Sequence, residues 1–171
     1  MPNREFVTTM ARYNMWQNES VITAASELSS EERERERGAF FGSIQKTLSH
    51  IFWGDMIWMS RFTGAEAPAG SISQSTEFIK TWDQYLLDRP AFDREIVTWA
   101  DGVSPEWLEE TYSWYSAAAG RQVTKLNALL AVHLFNHQTH HRGQVHAMLT
   151  AAGARPDDTD IPFLPDRFFD L

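Results

Sequence analysis

The chain has 171 residues, of which 43% are hydrophobic and 22% charged, and its formal net charge is −8. This length and composition suit one globular domain, residues 1–171, with a core of its own. The negative charge argues against sequence-independent nucleic-acid binding, because phosphate neutralisation needs clustered Lys and Arg. The absence of cysteine excludes disulfides, thiolate nucleophiles and Cys-ligated metals.

Any metal must therefore be held by His, Asp or Glu. No apolar run approaches the roughly 20 residues that cross a bilayer, and the N-terminal residues contain no apolar signal region. We expect a cytoplasmic protein that binds neither membranes nor nucleic acids.

Four long segments carry apolar residues at the intervals of three and four that indicate helices. They cover residues 4–28, 40–62, 76–99 and 126–152. Pro90 can interrupt the third helix, because proline removes a backbone donor, and Gly153 stops the fourth. The sequence therefore predicts an all-α fold.

The connections between these helices carry weaker signals. Ser29 and Glu32 have the spacing of a capping box, so the charged run 31–37 is predicted to be a short helix or a turn. Residues 63–75 contain Gly, Pro and several Ser and are predicted to form a loop. Residues 111–124 place β-branched and aromatic residues on both sides of a small-residue turn, which predicts a short hairpin or an extended crossover before the last helix.

The C-terminal tail, residues 154–171, carries several apolar side chains among its prolines. Because so much apolar surface is costly to leave in water, we expect the tail to pack on the helix bundle or on a partner chain.

Histidines dominate the last predicted helix. Four of the six histidines in the chain lie there within nine residues. At about 100° per residue, His133, His137 and His141 share one otherwise apolar face with Gln144. His140 lies at the edge of that face.

This histidine face has two interpretations. Its members either form a polar seam bonded to neighbouring side chains, or an i,i+4 pair presents nitrogens to one divalent ion and a third ligand comes from elsewhere. His133 and His141 lie about 12 Å apart along the helix axis, so they cannot comfortably share one ion. The pair is then His133 with His137, or His137 with His141.

His50 is the candidate third ligand, since it is the one histidine in the first 132 residues. It lies amid apolar residues of the second predicted helix, and Gly54, one turn later, leaves space beside its imidazole. A lone histidine in such surroundings is commonly a core residue with satisfied hydrogen bonds. The histidines of the last helix nevertheless need a third ligand, and a buried His50 needs a partner for its ring. A shared metal ion would meet both needs.

With His50 on one helix and His137 and His141 on another, the sequence resembles the DinB-like (DinB/YfiT-like) four-helix metalloproteins. Three stretches carry the resemblance: Tyr13, Asn14, Trp16 and Asn18; His50, Asp55, Trp58, Arg61 and Phe62; and Asn136, His137, His141, Arg142, Gly143 and Gln144. The last stretch is the most specific, and the resemblance covers nearly the whole chain.

The resemblance implies an up-and-down bundle of four helices, often a homodimer, in which His50, His137 and His141 hold a divalent ion such as nickel or zinc. Some relatives of this fold are thiol-dependent transferases. We therefore expect a metal-dependent enzyme that activates a low-molecular-weight thiol, or water, for reaction with a small-molecule substrate. A metal-dependent hydrolase and a non-enzymatic, stress-related metal-binding protein are the alternatives.

Other polar residues in these stretches are candidates for the pocket wall or for contacts behind the ligands. His133 can line the pocket or serve as a core residue. Asp55 can accept a hydrogen bond from a ligand imidazole, or it can pair with Arg142 or Arg61. Gln144 shares the histidine face.

Overall fold

Helices make up most of residues 1–117 and 119–169, which are the part of the chain that this computed structural model describes. In chain order the elements are α1 (Arg4–Ser26), α2 (Ser30–Glu34), α3 (Ile44–Thr63), α4 (Trp82–Gly102), α5 (Pro105–Glu109), β1 (Thr111–Ser116), β2 (Arg121–Leu126) and α6 (Asn127–Ala151). Short 3-10 helices lie at Ile72–Glu77, Ile161–Phe163 and Asp166–Phe168. Ala118 in the predicted hairpin turn, and Asp170 and Leu171 in the predicted tail, lie outside the described residues.

The four long helices enclose two apolar clusters. α1 packs mainly against α4 and α6, and α3 packs mainly against α6. One cluster includes Leu48 and Leu149, and the other includes Ile96 and Leu134. Buried polar side chains lie between the two clusters along each helix. The predominance of helix agrees with the predicted all-α class.

α3 begins at Ile44 rather than at residue 40. Gly42 has a φ of 82°, a left-handed conformation that a helix does not contain. The Ser43 side chain then caps the helix by accepting the N–H of Lys46. The apolar residues at 40 and 41, which suggested a helix start, therefore lie in a turn before α3.

α4 begins at Trp82, so its predicted start at residue 76 was wrong. Thr81 caps it, and the helix runs through Pro90 without a break. The preceding loop contains the 3-10 helix at residues 72–77, which the sequence did not predict. Ser71 and Gln74 close that turn with reciprocal hydrogen bonds between side chain and backbone.

β1 and β2 pair antiparallel over their whole lengths, which confirms the predicted hairpin. The hairpin leads directly into α6, where the N–H of Asn127 donates to the carbonyl of Glu110. It also lays Trp114 against Trp58 of α3, with the ring centroids 5.5 Å apart. The two strands thus cover the end of α3 that follows His50.

The described part of the tail packs on α1. Leu164 and Phe168 are buried against Tyr13 and Trp16, and the Tyr13 hydroxyl donates to the carbonyl of Thr159 at 2.7 Å. This packing removes Leu164 and Phe168 from water, as expected for the tail, whereas Ile161, Phe163 and Phe169 remain exposed.

Among the described residues, none of the helices combines the length and the apolar character needed to cross a bilayer.

Candidate metal centre

Three histidines from two helices meet between α3 and α6. His50 comes from α3 and His137 and His141 from α6, and one ring nitrogen from each lies within 4.8 Å of the other two. His50 Nε2 is 3.0 Å from His137 Nε2. His50 and His141 are buried, and His137 is partly buried. Of the two i,i+4 pairs on the histidine face, the structure brings His137 and His141 to His50.

The hydrogen bonds around His50 fix its tautomer. Ser75 Oγ lies 2.8 Å from His50 Nδ1 and also 2.7 Å from the carbonyl of Ile72. The hydroxyl has one proton, which it donates to that carbonyl. His50 Nδ1 must therefore carry the ring proton and donate it to Ser75, which leaves a lone pair on Nε2 facing the cluster.

His141 is oriented in the same way by a residue of its own helix. Its Nδ1 lies 3.2 Å from Gln144 Oε1. A carbonyl oxygen can only accept, so Nδ1 donates the proton and Nε2 is left with a lone pair. The Gln144 amide in turn contacts His140 Nε2 at 3.4 Å.

His137 fills the space that Gly54 leaves. A Cβ added at Gly54 would lie 3.1 Å from His137 Cε1, closer than ordinary van der Waals contact. The glycine therefore makes room for the imidazole of the opposite helix rather than for that of His50. His137 Nδ1 is buried and has no hydrogen-bond partner among the described residues.

Burial keeps all three rings neutral at neutral pH. It lowers the pKa of His50 to about 4 and that of His137 to about 3, and the neighbouring histidines add to both shifts. Burial also lowers the pKa of His141, despite the hydrogen bond from that ring to Gln144. A neutral imidazole is the form that binds a metal ion.

This donor set fits a divalent ion. Nitrogens about 2.1 Å from one ion and at the tetrahedral angle lie about 3.4 Å apart, and the Nε2 atoms of His50 and His137 lie 3.0 Å apart. In two of the rings the N–H of the second nitrogen donates a hydrogen bond to an oxygen, as in metal-bound histidines. In the described residues the group contains three protein donors and no carboxylate, which leaves further positions for small molecules.

Aromatic rings surround the three histidines. The Phe41 ring lies 4.1 Å from that of His50 and 5.2 Å from that of His141, so the turn before α3 covers one side of the cluster. On another side the exposed His133 ring lies 5.8 Å from that of His137 and 5.0 Å from that of Trp58. His133, which the spacing had left as an alternative ligand, therefore lies at the rim of the cluster.

Asp55 does not contact the histidines, nor does it pair with Arg61 or Arg142. It accepts a hydrogen bond from Arg89 Nη1 at 2.6 Å, and Asp93 accepts one from Arg89 Nη2 at 2.5 Å. All three side chains are buried. Arg89 could not be predicted as the partner, because helical periodicity does not determine how α4 is rotated relative to α3.

Arg142 belongs to the same buried layer rather than to the pocket wall. It donates to Asn14 of α1 and, at 2.9 Å, to Gln138 of its own helix. Asn18 donates to Asp93 at 2.8 Å. The charges of two arginines and two aspartates thus balance. Together with Asn14 and Asn18 of α1, these side chains connect α1, α3, α4 and α6.

Comparisons with known proteins place these features in context. The family model described as DinB family matches residues 1–167. Protein DinB of Bacillus subtilis (strain 168) is 29% identical over 161 residues, which cover 91% of this chain and 91% of that protein. No solved structure gives a significant match.

Proposed function

This chain belongs to the DinB family, as its histidine motifs indicated, and from that premise we propose that it is a divalent-metal-dependent enzyme. His50, His137 and His141 are the proposed ligands. The proposed reaction is the transfer of a low-molecular-weight thiol to an electrophilic small molecule. Nickel or zinc is the proposed ion, because imidazole ligands suit both metals.

The observation that supports this proposal best is that three neutral imidazoles converge and that no carboxylate of the described residues belongs to the same group. One nitrogen from each ring lies within 4.8 Å of the other two, and Ser75 and Gln144 orient two of the rings. A closed structural site usually has four protein ligands, whereas three leave positions for exchangeable molecules. When bound there, a divalent ion lowers the pKa of a thiol or a water molecule, so that a nucleophile is available near neutral pH.

The residues at the rim would serve such a reaction. Phe41 covers the rings of His50 and His141 and would limit the access of water. His133 is neutral at neutral pH, because partial desolvation by the neighbouring rings and the nearby charge of Arg61 lower its pKa. We assign His133 the role of accepting the S–H proton as the sulfur bonds to the electrophilic carbon and the bond from that carbon to its leaving group breaks; the protonated His133 then gives the proton to the departing group.

Metal-dependent hydrolysis is the second candidate function. The observation in its favour is the same His133 ring, which is exposed at the rim and could accept a proton from water instead of from a thiol. Hydrolysis would proceed without any added thiol, and this distinguishes the two reactions.

A purely structural role for the ion is less well supported. The buried layer of Asp55, Arg89, Asp93 and Arg142 already links the four long helices by ion pairs and hydrogen bonds beside the histidines. The bundle therefore has a polar connection that needs no metal. The non-enzymatic alternative predicts that chelation abolishes cooperative unfolding and that no substrate is turned over.

Metal analysis is the first test. The protein is purified without an affinity tag and its metal content is measured by inductively coupled plasma mass spectrometry, together with His50→Ala, His137→Ala and, as a control outside the cluster, His146→Ala. We expect about one ion per chain in the wild type and in the control, and loss of the ion in the other two variants. Failure of the wild type to take up any divalent ion on reconstitution would refute the proposed site.

Turnover is the second test. The metal-loaded protein should consume thiol and electrophile together, and the chelated protein and His137→Ala should not. Equal rates with and without the ion would exclude the transferase. Metal-dependent cleavage of activated esters in the absence of thiol would favour the hydrolase instead.

A further inference from the structure

Arg61 is a cation close to the histidine cluster that has no anionic partner among the described residues. It lies in α3 and is half-buried, and none of the described ion pairs includes it. Burial lowers its pKa, and the neighbouring Tyr112 opposes this shift. The buried arginines Arg12 and Arg89, by contrast, each contact a carboxylate.

Two tryptophans hold the Arg61 guanidinium. Its central carbon lies 4.5 Å from the Trp58 ring and 5.4 Å from the Trp114 ring. Cation–π contact engages the flat face of a guanidinium, whereas its five N–H donors point outward in the plane. The two indoles are nearly perpendicular, so the guanidinium cannot lie flat on both; they position it by π contact, and an indole offers no hydrogen-bond acceptor for its N–H groups.

Ring contacts connect this arginine to the metal cluster. The Trp58 ring lies 5.0 Å from that of His133, and the His133 ring lies 5.8 Å from that of His137. Arg61 is also close enough to His133 for its charge to lower the pKa of that ring. The order along the rim is thus the cluster, His133, Trp58 and Arg61.

An unpaired, positioned guanidinium at the rim of a reaction site is suited to bind a carboxylate, which matches its fork of donors. We propose that Arg61 is a specificity-determining residue that binds a carboxylate group of the small thiol while the thiol sulfur is held at the histidine cluster. This inference rests on the proposed function and extends it, since it identifies the substrate class as organic acids that carry a thiol. It also supplies the cationic recognition group outside the ligand set that a thiol transferase requires.

The β1–β2 hairpin forms one wall of the proposed carboxylate site around Arg61. Trp114 lies on β1, and its ring meets that of Trp58 nearly edge-on at 5.5 Å. Without the hairpin one side of the guanidinium would be open to water. The insertion between α5 and α6 therefore shapes the recognition group, although the proposed metal ligands lie elsewhere.

The test compares two thiols of equal chain length, mercaptohexanoate and mercaptohexanol, by titration calorimetry with the metal-loaded protein. The wild type should bind the acid on the order of tenfold more tightly, as expected for a charge-assisted hydrogen bond. Arg61→Met, which keeps an apolar stem, should bind both thiols equally and leave the affinity for the alcohol unchanged. Arg61→Lys should retain part of the preference.

Arg94→Met is the matched control, because it removes one positive charge from an exposed position on α4. It should keep the full preference for the acid. A loss of preference in Arg94→Met as well would mean that overall charge, rather than Arg61, is responsible. Equal binding of both thiols by the wild type, with metal-dependent thiol binding intact, would overturn this inference and leave the proposed function standing.

A second readout is independent of the metal and of the stability of Arg61→Met. The Nε–H resonance of Arg61 in the ¹⁵N-labelled wild type, assigned by its absence from Arg61→Lys, should shift when hexanoate is added and should not move with hexanol. If thiol binding proves independent of the metal, the proposed function fails, and a shift of this resonance still supports the carboxylate site. An unmoved resonance in saturating hexanoate would overturn the site in either case.

Discussion

Ser75 Oγ lies 2.8 Å from His50 Nδ1, so a residue of the loop before α4 determines which nitrogen of an α3 histidine faces the cluster. The loop is itself tied to α3, because Ser49 Oγ donates to the carbonyl of Ser75 at 2.8 Å and accepts the N–H of Ile79 at 3.0 Å. The 3-10 helix at residues 72–77 is therefore part of the site. Its function is to hold one hydrogen-bond acceptor in place.

Ser75→Ala should weaken metal binding without removing it. The substitution deletes the acceptor of the His50 Nδ1 proton, and loss of such a contact behind a metal-bound histidine typically reduces metal affinity about 10–100-fold. Competition with a chromophoric chelator measures the change. Ser73→Ala, an exposed position in the same 3-10 helix, should leave the affinity unchanged. An unchanged affinity in Ser75→Ala would show that His50 is positioned by packing alone.

Gly54→Ala and Gly143→Ala make a matched pair of helical substitutions with opposite expected effects. A Cβ at Gly54 lies 3.1 Å from His137 Cε1, whereas a Cβ at Gly143 meets nothing within 4 Å. Gly143→Ala should stabilise the protein by roughly 0.5–1 kcal/mol through helix propensity. Gly54→Ala should displace the His137 ring and weaken metal binding, with little or no gain in stability. Thermal unfolding and chelator competition measure the two effects, and equal behaviour of the variants would contradict the proposed close fit.

The histidine face of α6 could be predicted from sequence because helical periodicity fixes the relative angles of residues on one helix. That geometry placed His133, His137 and His141 together but left the choice of pair open. The resemblance, rather than the spacing, indicated His137 with His141. Only the packing of α3 on α6 shows that His133 lies at the rim.

Contacts between helices, and within loops, could not be predicted in the same way. Arg89 is the partner of Asp55 because α4 turns that side chain into the core, and periodicity within one segment says nothing about rotation relative to another. Ser75 could not be identified from the sequence, because the Gly and Ser residues of its segment predict an irregular loop and do not indicate a contact with α3. A polar residue whose importance comes from tertiary contacts has no distinctive local signal.

Arg89→Met should be strongly destabilising. Arg89 is fully buried and donates to both Asp55 and Asp93, which are buried as well. Removing the cation leaves two buried carboxylates without a counter-charge, and breaking such a pair typically costs about 3–5 kcal/mol. Urea unfolding measures the loss. Arg94→Met, on the exposed face of the same helix, should change the free energy of unfolding by less than about 0.5 kcal/mol.

The metal-free protein should lose stability as the pH falls below about 6.5. Burial lowers the pKa of His50 to about 4 and of His137 to about 3, so between these values and 6.5 the unfolded chain binds more protons than the folded one, and acid favours unfolding. Asp55 acts in the opposite direction, because burial raises its pKa from 3.8 to about 6. Burial also raises the pKa of Asp93, but it lowers that of His133 and of His141 as well, so four histidines oppose two carboxyls.

We therefore expect the free energy of unfolding of the chelated protein to fall by on the order of 1 kcal/mol per pH unit between about pH 6 and pH 4, after allowing for the partial exposure of His137. Urea titrations at several pH values measure this slope. His137→Gln should flatten it, because glutamine occupies the site without titrating, whereas His146→Gln, outside the cluster, should keep it. With metal bound, the free energy of unfolding should fall more steeply as the pH is lowered, since protons compete with the ion for the same nitrogens. A slope that is unaffected by His137→Gln would show that other groups control the acid sensitivity.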